Sequence, residues 1–246
     1  MLILLPPSET KRDGGSTANP LDLAALSFPE LTAPRKRALS ALRTISRSVA
    51  ASTAALGLGL TQRFEIDRNR AVSVSATLPA IERYTGVLYD AIDVGSLDRA
   101  ARRFLGQNVV IHSALFGLVR ADDPLPAYRF SHDTRLPGTS VTRIWREANA
   151  AALSAATGLV LDLRSESYVH LGPAPAGSHF LRVVTSDGTG AKRALNHFNK
   201  HAKGELVRRL AQSGRVIESV AELLEWGGAS GVRLEAGAAG ALELVI

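Results

Sequence analysis

The chain has 246 residues, 46% of them hydrophobic and 21% charged, which excludes a disordered chain and a collagen-like repeat. Cysteine is absent and Met1 is the only methionine, which excludes disulfides, thiolate metal sites, cysteine nucleophiles and sulfur redox switches. Lys and Arg total 29 against 23 acidic residues, and this net charge of +6 favours polyanionic partners such as nucleic acid or phosphorylated ligands.

The apolar run Leu2 to Leu5, closed by Pro6 and Pro7, predicts a buried strand that delivers Ser8, Glu9, Thr10 and Lys11 to a loop at its carboxyl end. No basic region precedes that run, so it reads as the first strand of a cytoplasmic protein rather than as a secretory signal. No apolar run approaches the ~20 residues of a membrane-spanning helix. Residues 12–20 form a polar loop, and helical spacing predicts helices over 34–56, 61–70 and 78–92. A helix over 96–105 is opened by a Ser cap and stopped by Gly106, and a strand follows over 109–112. Residues 113–138, rich in Pro, Asp and Arg without a steady period, read as one long ordered loop.

A helix over 140–156 is ended by Gly158, and a strand over 159–161 hands over to Asp162, Leu163, Arg164 and Ser165. A strand over 180–185, a long basic helix over 192–212, a shorter helix over 216–225 and two strands within 227–246 complete the chain. With no internal repeat and no linker, the expectation is a single compact α/β (α+β) domain over 1–246, with a mixed central sheet flanked by helices.

Four stretches gather chemistry. The loop Ser8 to Lys11 places a hydroxyl, a carboxylate and an ammonium together and could bind an anion, but it lacks the Gly-rich pattern of a nucleotide-hydrolase loop. The stretch from His112 to Phe130 carries Ser113, Arg120, Asp122, Asp123, Tyr128 and Arg129; a Ser-His-Asp triad is disfavoured because no G-x-S-x-G elbow surrounds Ser113. Asp122 and Asp123 read as loop caps in preference to cation ligands. In DLRSESY, from Asp162 to Tyr168, Arg164 could fork onto a phosphate with Asp162 holding it, or the two could form a buried pair that fixes a turn.

The fourth stretch, Asn196 to Leu210, sets Lys200, Lys203 and Arg208 at helical spacings, which could track a phosphate backbone or be a solvated charged face. His197 and His201 are four apart, but no Glu follows the first and no third ligand is evident, so zinc is rejected. Neither a metal nor a cofactor is called for.

Five strings in order, LLPPSETK, Tyr84 to Tyr89, HSALFGLVRADDPLPAYR, DLRSESY and FNKHAKGELVRRL, resemble the YaaA family of peroxide-stress proteins nearly end to end. The resemblance implies an intracellular bacterial protein that limits free iron and protects DNA, built as one α/β unit with a basic cleft and a hairpin-like element binding duplex and irregular DNA. That element would centre on Ser113 to Gly117, where Ala114 stands in a place often held by Gly and would be strained if the turn needs a positive φ there. A second departure is the N-terminal Pro7, Ser8, Glu9, Thr10, Lys11, where many members read Ser-Pro-Ala-Lys.

The leading functional expectation is a non-enzymatic DNA-binding stress protein with weak sequence preference and no membrane partner. It would hold phosphates through Lys11, Ser113, Gly117, Arg120, Arg129, Arg164, Lys200, Lys203 and Arg208. About four simultaneous phosphate contacts would give a slope of log K against log salt of about −3.6. The rival is an enzyme acting on a small anionic or nucleotide-like substrate, in a pocket drawn from Ser8, Glu9, Tyr84, Tyr128, Asp162, Ser165, Tyr168 and Asn199. Iron handling by direct ligation has little support in the residue spacing.

Overall fold

The computed structural model describes residues 1–186, 192–194 and 199–246. The N-terminal run forms β1 (Leu2–Leu5), and the polar stretch after it leads to α1 (Thr32–Ser46) and α2 (Val49–Leu56). The single helix expected over 34–56 is therefore two: Ser48 adopts extended backbone and its side chain accepts from Ala51 N, capping the second. The next helix, α3 (Phe64–Arg70), falls inside its expected span.

The helix expected over 78–92 is broken further, into β2 (Thr77–Pro79), α4 (Ala80–Arg83) and α5 (Val87–Ile92). Gly86 has φ +99°, a conformation that L side chains rarely adopt, and it turns the chain between the two helices. The helix α6 (Arg99–Asn108) is capped by Asp98, which accepts from Ala101 N, and not by Ser96. Gly106 lies inside it and is no stop, and a Cβ there would meet only the end of the exposed Asp122 side chain.

The expected long loop over 113–138 contains two strands. After β3 (Val109–Ser113) comes a tight hairpin into β4 (Gly117–Arg120), and then β5 (Pro124–Pro126), which pairs antiparallel with β2. The rest follows as α7 (Val141–Ser154), β6 (Val160–Asp162), α8 (Glu166–Val169), β7 (His179–Ser186) and β8 (Lys192–Ala194). It ends with α9 (Asn199–Ser213), α10 (Val220–Ala229), β9 (Leu234–Ala236) and β10 (Leu242–Val245). Of the basic helix expected over 192–212, residues 192–194 are strand instead and α9 is described from Asn199, while α10 starts at Val220, four residues later than the expected 216, with Ser219 as its cap. His197 lies outside the described residues.

The main sheet runs β4-β3-β1-β6-β7-β10-β9, with β8 paired to the far part of β7. Strands β3, β1, β6, β7 and β10 are parallel to their neighbours in that run, and β4 and β9 close its two edges antiparallel. This is the mixed sheet flanked by helices that the sequence predicts. One core cluster extends from Ile3 to Leu244, with Trp145 and Trp226 its largest buried side chains. Among the described residues, no helix is long and apolar enough to cross a membrane.

Candidate functional site

In parallel sheets, loops at the carboxyl ends of the strands gather on one side and form ligand crevices there. Here β1 delivers Pro6 to Lys11 and β6 delivers Leu163 to Ser165 to that edge. The first loop is pinned along its length. Thr85 N donates to Thr10 O at 3.3 Å, Arg12 N donates to Arg83 O at 2.9 Å, and Thr85 N also meets Ser8 Oγ at 3.2 Å. Arg83, fully buried, holds the chain beyond with hydrogen bonds to the carbonyls of Arg12, Gly14, Ala76 and Leu125.

Helix α9 crosses α5 closely enough that a Cβ on Gly204 would sit 2.2 Å from Leu88 O and 2.7 Å from the Ala91 Cβ. Arg208 secures the crossing by donating to the carbonyls of Ile92 and Asp93 and to Ser96 Oγ, a cation at the C-terminal end of α5. That crossing sets the first turns of α9 against the strand-end loops.

Between these elements lies a cavity of about 610 Å³. Its wall includes Ser8, Glu9, Ser165, Tyr168 and Asn199 from the expected pocket, together with Lys200 and Lys203 of α9. Lys200 is exposed, but Lys203 is only 5% exposed: its Nζ donates to Leu163 O at 3.1 Å and lies 5.5 Å from the centre of the Phe180 ring. Burial lowers the Lys203 pKa to about 8, with Asp162 pulling the other way. Asn199 Oδ1, in the same wall, is buried without a hydrogen-bond partner among the described residues.

Behind the cavity runs a buried polar layer. Ser113 Oγ accepts from Leu115 N and Phe116 N, and it lies 2.6 Å from Tyr128 Oη, which in turn lies 2.6 Å from Tyr84 Oη. Lys11, 7% exposed, donates to Ser8 O and Glu9 O at 3.0 and 3.1 Å, and burial brings its pKa down to about 7 against the pull of Glu65. The pKa values of both Tyr84 and Tyr128 are raised, chiefly by burial.

Several residues expected to meet phosphate or substrate are enclosed. Arg164 is fully buried and forks onto Asp162 through Nε and Nη2 at 2.8 and 2.6 Å, while Nη1 donates to Gly172 O, so it is the turn-fixing pair rather than an open phosphate fork. Ser113 is fully buried, and the hairpin to Gly117 is packed internally: Trp145 Nε1 donates to Ala114 O, and Arg35 donates to the carbonyls of Phe116 and Leu118. The positive φ of that turn, +68°, falls on Gly117, so Ala114 is unstrained. Arg129 is 9% exposed and paired with Glu9 at 2.8 Å, and Arg120 donates to Gln107 O, outside the cavity wall.

Tyr84, Tyr128 and Asp162 likewise sit behind the wall and not in it. Sequence reasoning did not select Tyr89, Phe130 and His132, which line the cavity. Their signal was available in the quoted Tyr84 to Tyr89 string and in the polar run Ser131, His132, Asp133, Thr134 that follows Phe130. Asp123 is a turn cap, accepting from Ser27 N and Arg120 N. Among the described residues, no group of three or more His, Asp or Glu could hold a metal ion.

The comparisons agree with the strings. A family profile described as "Peroxide stress protein YaaA" matches residues 1–235. UPF0246 protein CE1889 of Corynebacterium efficiens is 42% identical over 240 residues, covering 96% of this chain and 95% of the relative. UPF0246 protein SCO2297 of Streptomyces coelicolor is 40% identical over 231 residues, covering 92% and 88%. Uncharacterized protein Cj0984 of Campylobacter jejuni is 28% identical over 210 residues, covering 84% and 83%.

Proposed function

Since the chain belongs to the YaaA family of peroxide stress proteins, we propose that it acts in that response by binding a small anionic, phosphate-bearing ligand in the cavity between β1, β6 and α9. The observation that carries this reading is the Lys203 ammonium, 95% enclosed yet part of the cavity wall, with Leu163 O as its hydrogen-bond acceptor and Lys200 one turn away. An ammonium has three donors, and a buried cation is costly unless paired. An anion in the cavity meets that need. In this reading, the limiting of iron-dependent damage that the family resemblance implies is the outcome of ligand binding in the cell.

The test is isothermal titration of the full chain with inorganic pyrophosphate at low salt, beside Lys203→Met and Lys200→Ala. Binding that Lys203→Met reduces at least tenfold, with Lys200→Ala reducing it less, supports the reading. No heat with the unaltered chain overturns it.

A second reading, DNA binding, is favoured by the exposure of Lys200 in that wall and by the net charge of +6. With Arg164, Arg129 and Lys11 enclosed, fewer cations remain for phosphates than the sequence suggests. Fewer contacts give an expected salt slope shallower than the value of about −3.6 for four contacts. Fluorescence anisotropy with a plain and a bubbled duplex over a range of salt measures it, and the absence of salt-dependent binding removes this reading.

A further inference from the structure

Both lysines of the described wall come from one element, α9, whereas the remaining wall is largely of another character. It holds the rings of Tyr89, Phe130, His132 and Tyr168, with hydroxyls at Ser8 and Thr85. A volume of about 610 Å³ is far more than a tetrahedral anion occupies and suits a ligand with a second, larger part. His132 is exposed and its ring lies 5.4 Å from that of Tyr168, tilted by 55°, so a planar group entering the cavity meets aromatic surface. Glu9 adds a carboxylate, 66% exposed and oriented by Arg129, and carboxylates at strand ends suit the paired hydroxyls of a ribose.

We propose that the ligand is a nucleoside 5′-monophosphate, with its phosphate on Lys200 and Lys203, its base against His132 and Tyr168, and its ribose hydroxyls on Glu9. This rests on the anion-binding reading above and adds the chemistry of the rest of the ligand. Stacking on aromatic rings is tolerant of base identity because every base offers a π-face, so purine and pyrimidine forms both bind.

The test titrates the full chain with AMP, CMP, 2′-deoxy-AMP, ribose 5-phosphate and inorganic pyrophosphate. AMP and CMP are expected to bind at least tenfold more tightly than ribose 5-phosphate. His132→Ala, on the exposed rim, narrows that gap to under threefold without weakening ribose 5-phosphate, and Tyr168→Leu does the same if it folds. Glu9→Gln removes the preference for AMP over 2′-deoxy-AMP. Equal binding of ribose 5-phosphate and AMP overturns the nucleoside assignment while the anion reading stands. Failure of every probe, pyrophosphate included, overturns both.

Discussion

The ammonium nitrogen of Lys11 lies 4.2 Å from the centre of the Tyr128 ring, and the hydroxyl of that tyrosine joins Tyr84 and Ser113 at 2.6 Å on either side. The ring face gives Lys11 a favourable partner, but a π-face and two carbonyls replace water only in part. This is why burial holds its pKa near 7 instead of 10.5.

A stability test follows from that depression. The unfolded chain binds a proton at Lys11 up to about pH 10.5, whereas the folded chain releases it above about pH 7. Between those values the unfolded state binds more protons, so stability rises with pH by about 1.4 kcal/mol per unit for this one group. The buried tyrosines, with raised pKa values, act in the opposite sense above pH 10, so the comparison is confined to pH 7 to 9. Urea unfolding of the chain and of Lys11→Met at pH 7, 8 and 9 isolates the effect: the unaltered chain gains on the variant as pH rises. Parallel curves would show that Lys11 is not the titrating group.

Gly204 governs the α5–α9 contact. Alanine is the better helix former by about 1 kcal/mol, so on propensity alone Gly204→Ala would stabilise α9. A Cβ 2.2 Å from Leu88 O forces the helices apart, and overpacking of this kind costs about 1–3 kcal/mol. Net destabilisation in urea, with weaker pyrophosphate binding because Lys203 moves with the helix, is the expected outcome. A more stable variant would mean that the crossing relaxes freely.

The Asp162–Arg164 pair makes a different prediction, since both side chains are enclosed, at 4% and 0% exposure. Asp162→Asn leaves a buried guanidinium without its counter-charge and is expected to cost about 3–5 kcal/mol. Thermal unfolding reads this directly. Lost ligand or DNA binding by variants at either residue therefore reflects a collapsed turn, and it becomes evidence of contact only if the variant keeps its melting temperature.

The hairpin that the family resemblance points to offers a paired comparison. Gly117 has φ +68° and a Cβ there would lie 2.4 Å from Trp145 Cζ3, whereas Ala114 lies outside the positive-φ region. Gly117→Ala is expected to destabilise by more than 2 kcal/mol, against about 0.5–1 kcal/mol for Ala114→Gly, where added chain entropy is the main effect. The reverse order in chemical denaturation would place the turn's demand at Ala114.

What could be read from the sequence depended on how local its cause was. The strand at Leu2–Leu5 and the helix at Val141–Ser154 follow from local apolar period and caps, and their expected spans nearly match. The breaks at Ser48 and Gly86 are hidden in the sequence because apolar spacing continues through both while the pairing of Thr77–Pro79 with Pro124–Pro126 is remote in sequence. The site divides in the same way. Spacing places Lys200 and Lys203 near one another on a helix, but only the packing of α9 on α5 and of Lys203 against Leu163 and Phe180 buries one and exposes the other. Arg164 had two readings in sequence, and nothing short of the turn at Gly172 distinguishes them.

On the proposed reading, Lys203, with its pKa lowered to about 8 by burial, makes anion binding depend on pH in a defined direction. An anion favours the charged amine, so affinity is near its plateau below pH 8 and falls above it, by up to tenfold per pH unit while the free protein loses that proton. Sulfate is the suitable probe because its own charge is constant from pH 6 to 9.5, and NMR titration accommodates its weak binding. The expected profile is flat from pH 6 to 7.5 and declining from 8 to 9.5, with Lys203→Met weaker throughout and level across the upper range. Lys11 titrates about a unit lower, so a decline centred near pH 7 that survives in Lys203→Met would transfer the dependence to Lys11 and remove Lys203 from contact with the anion.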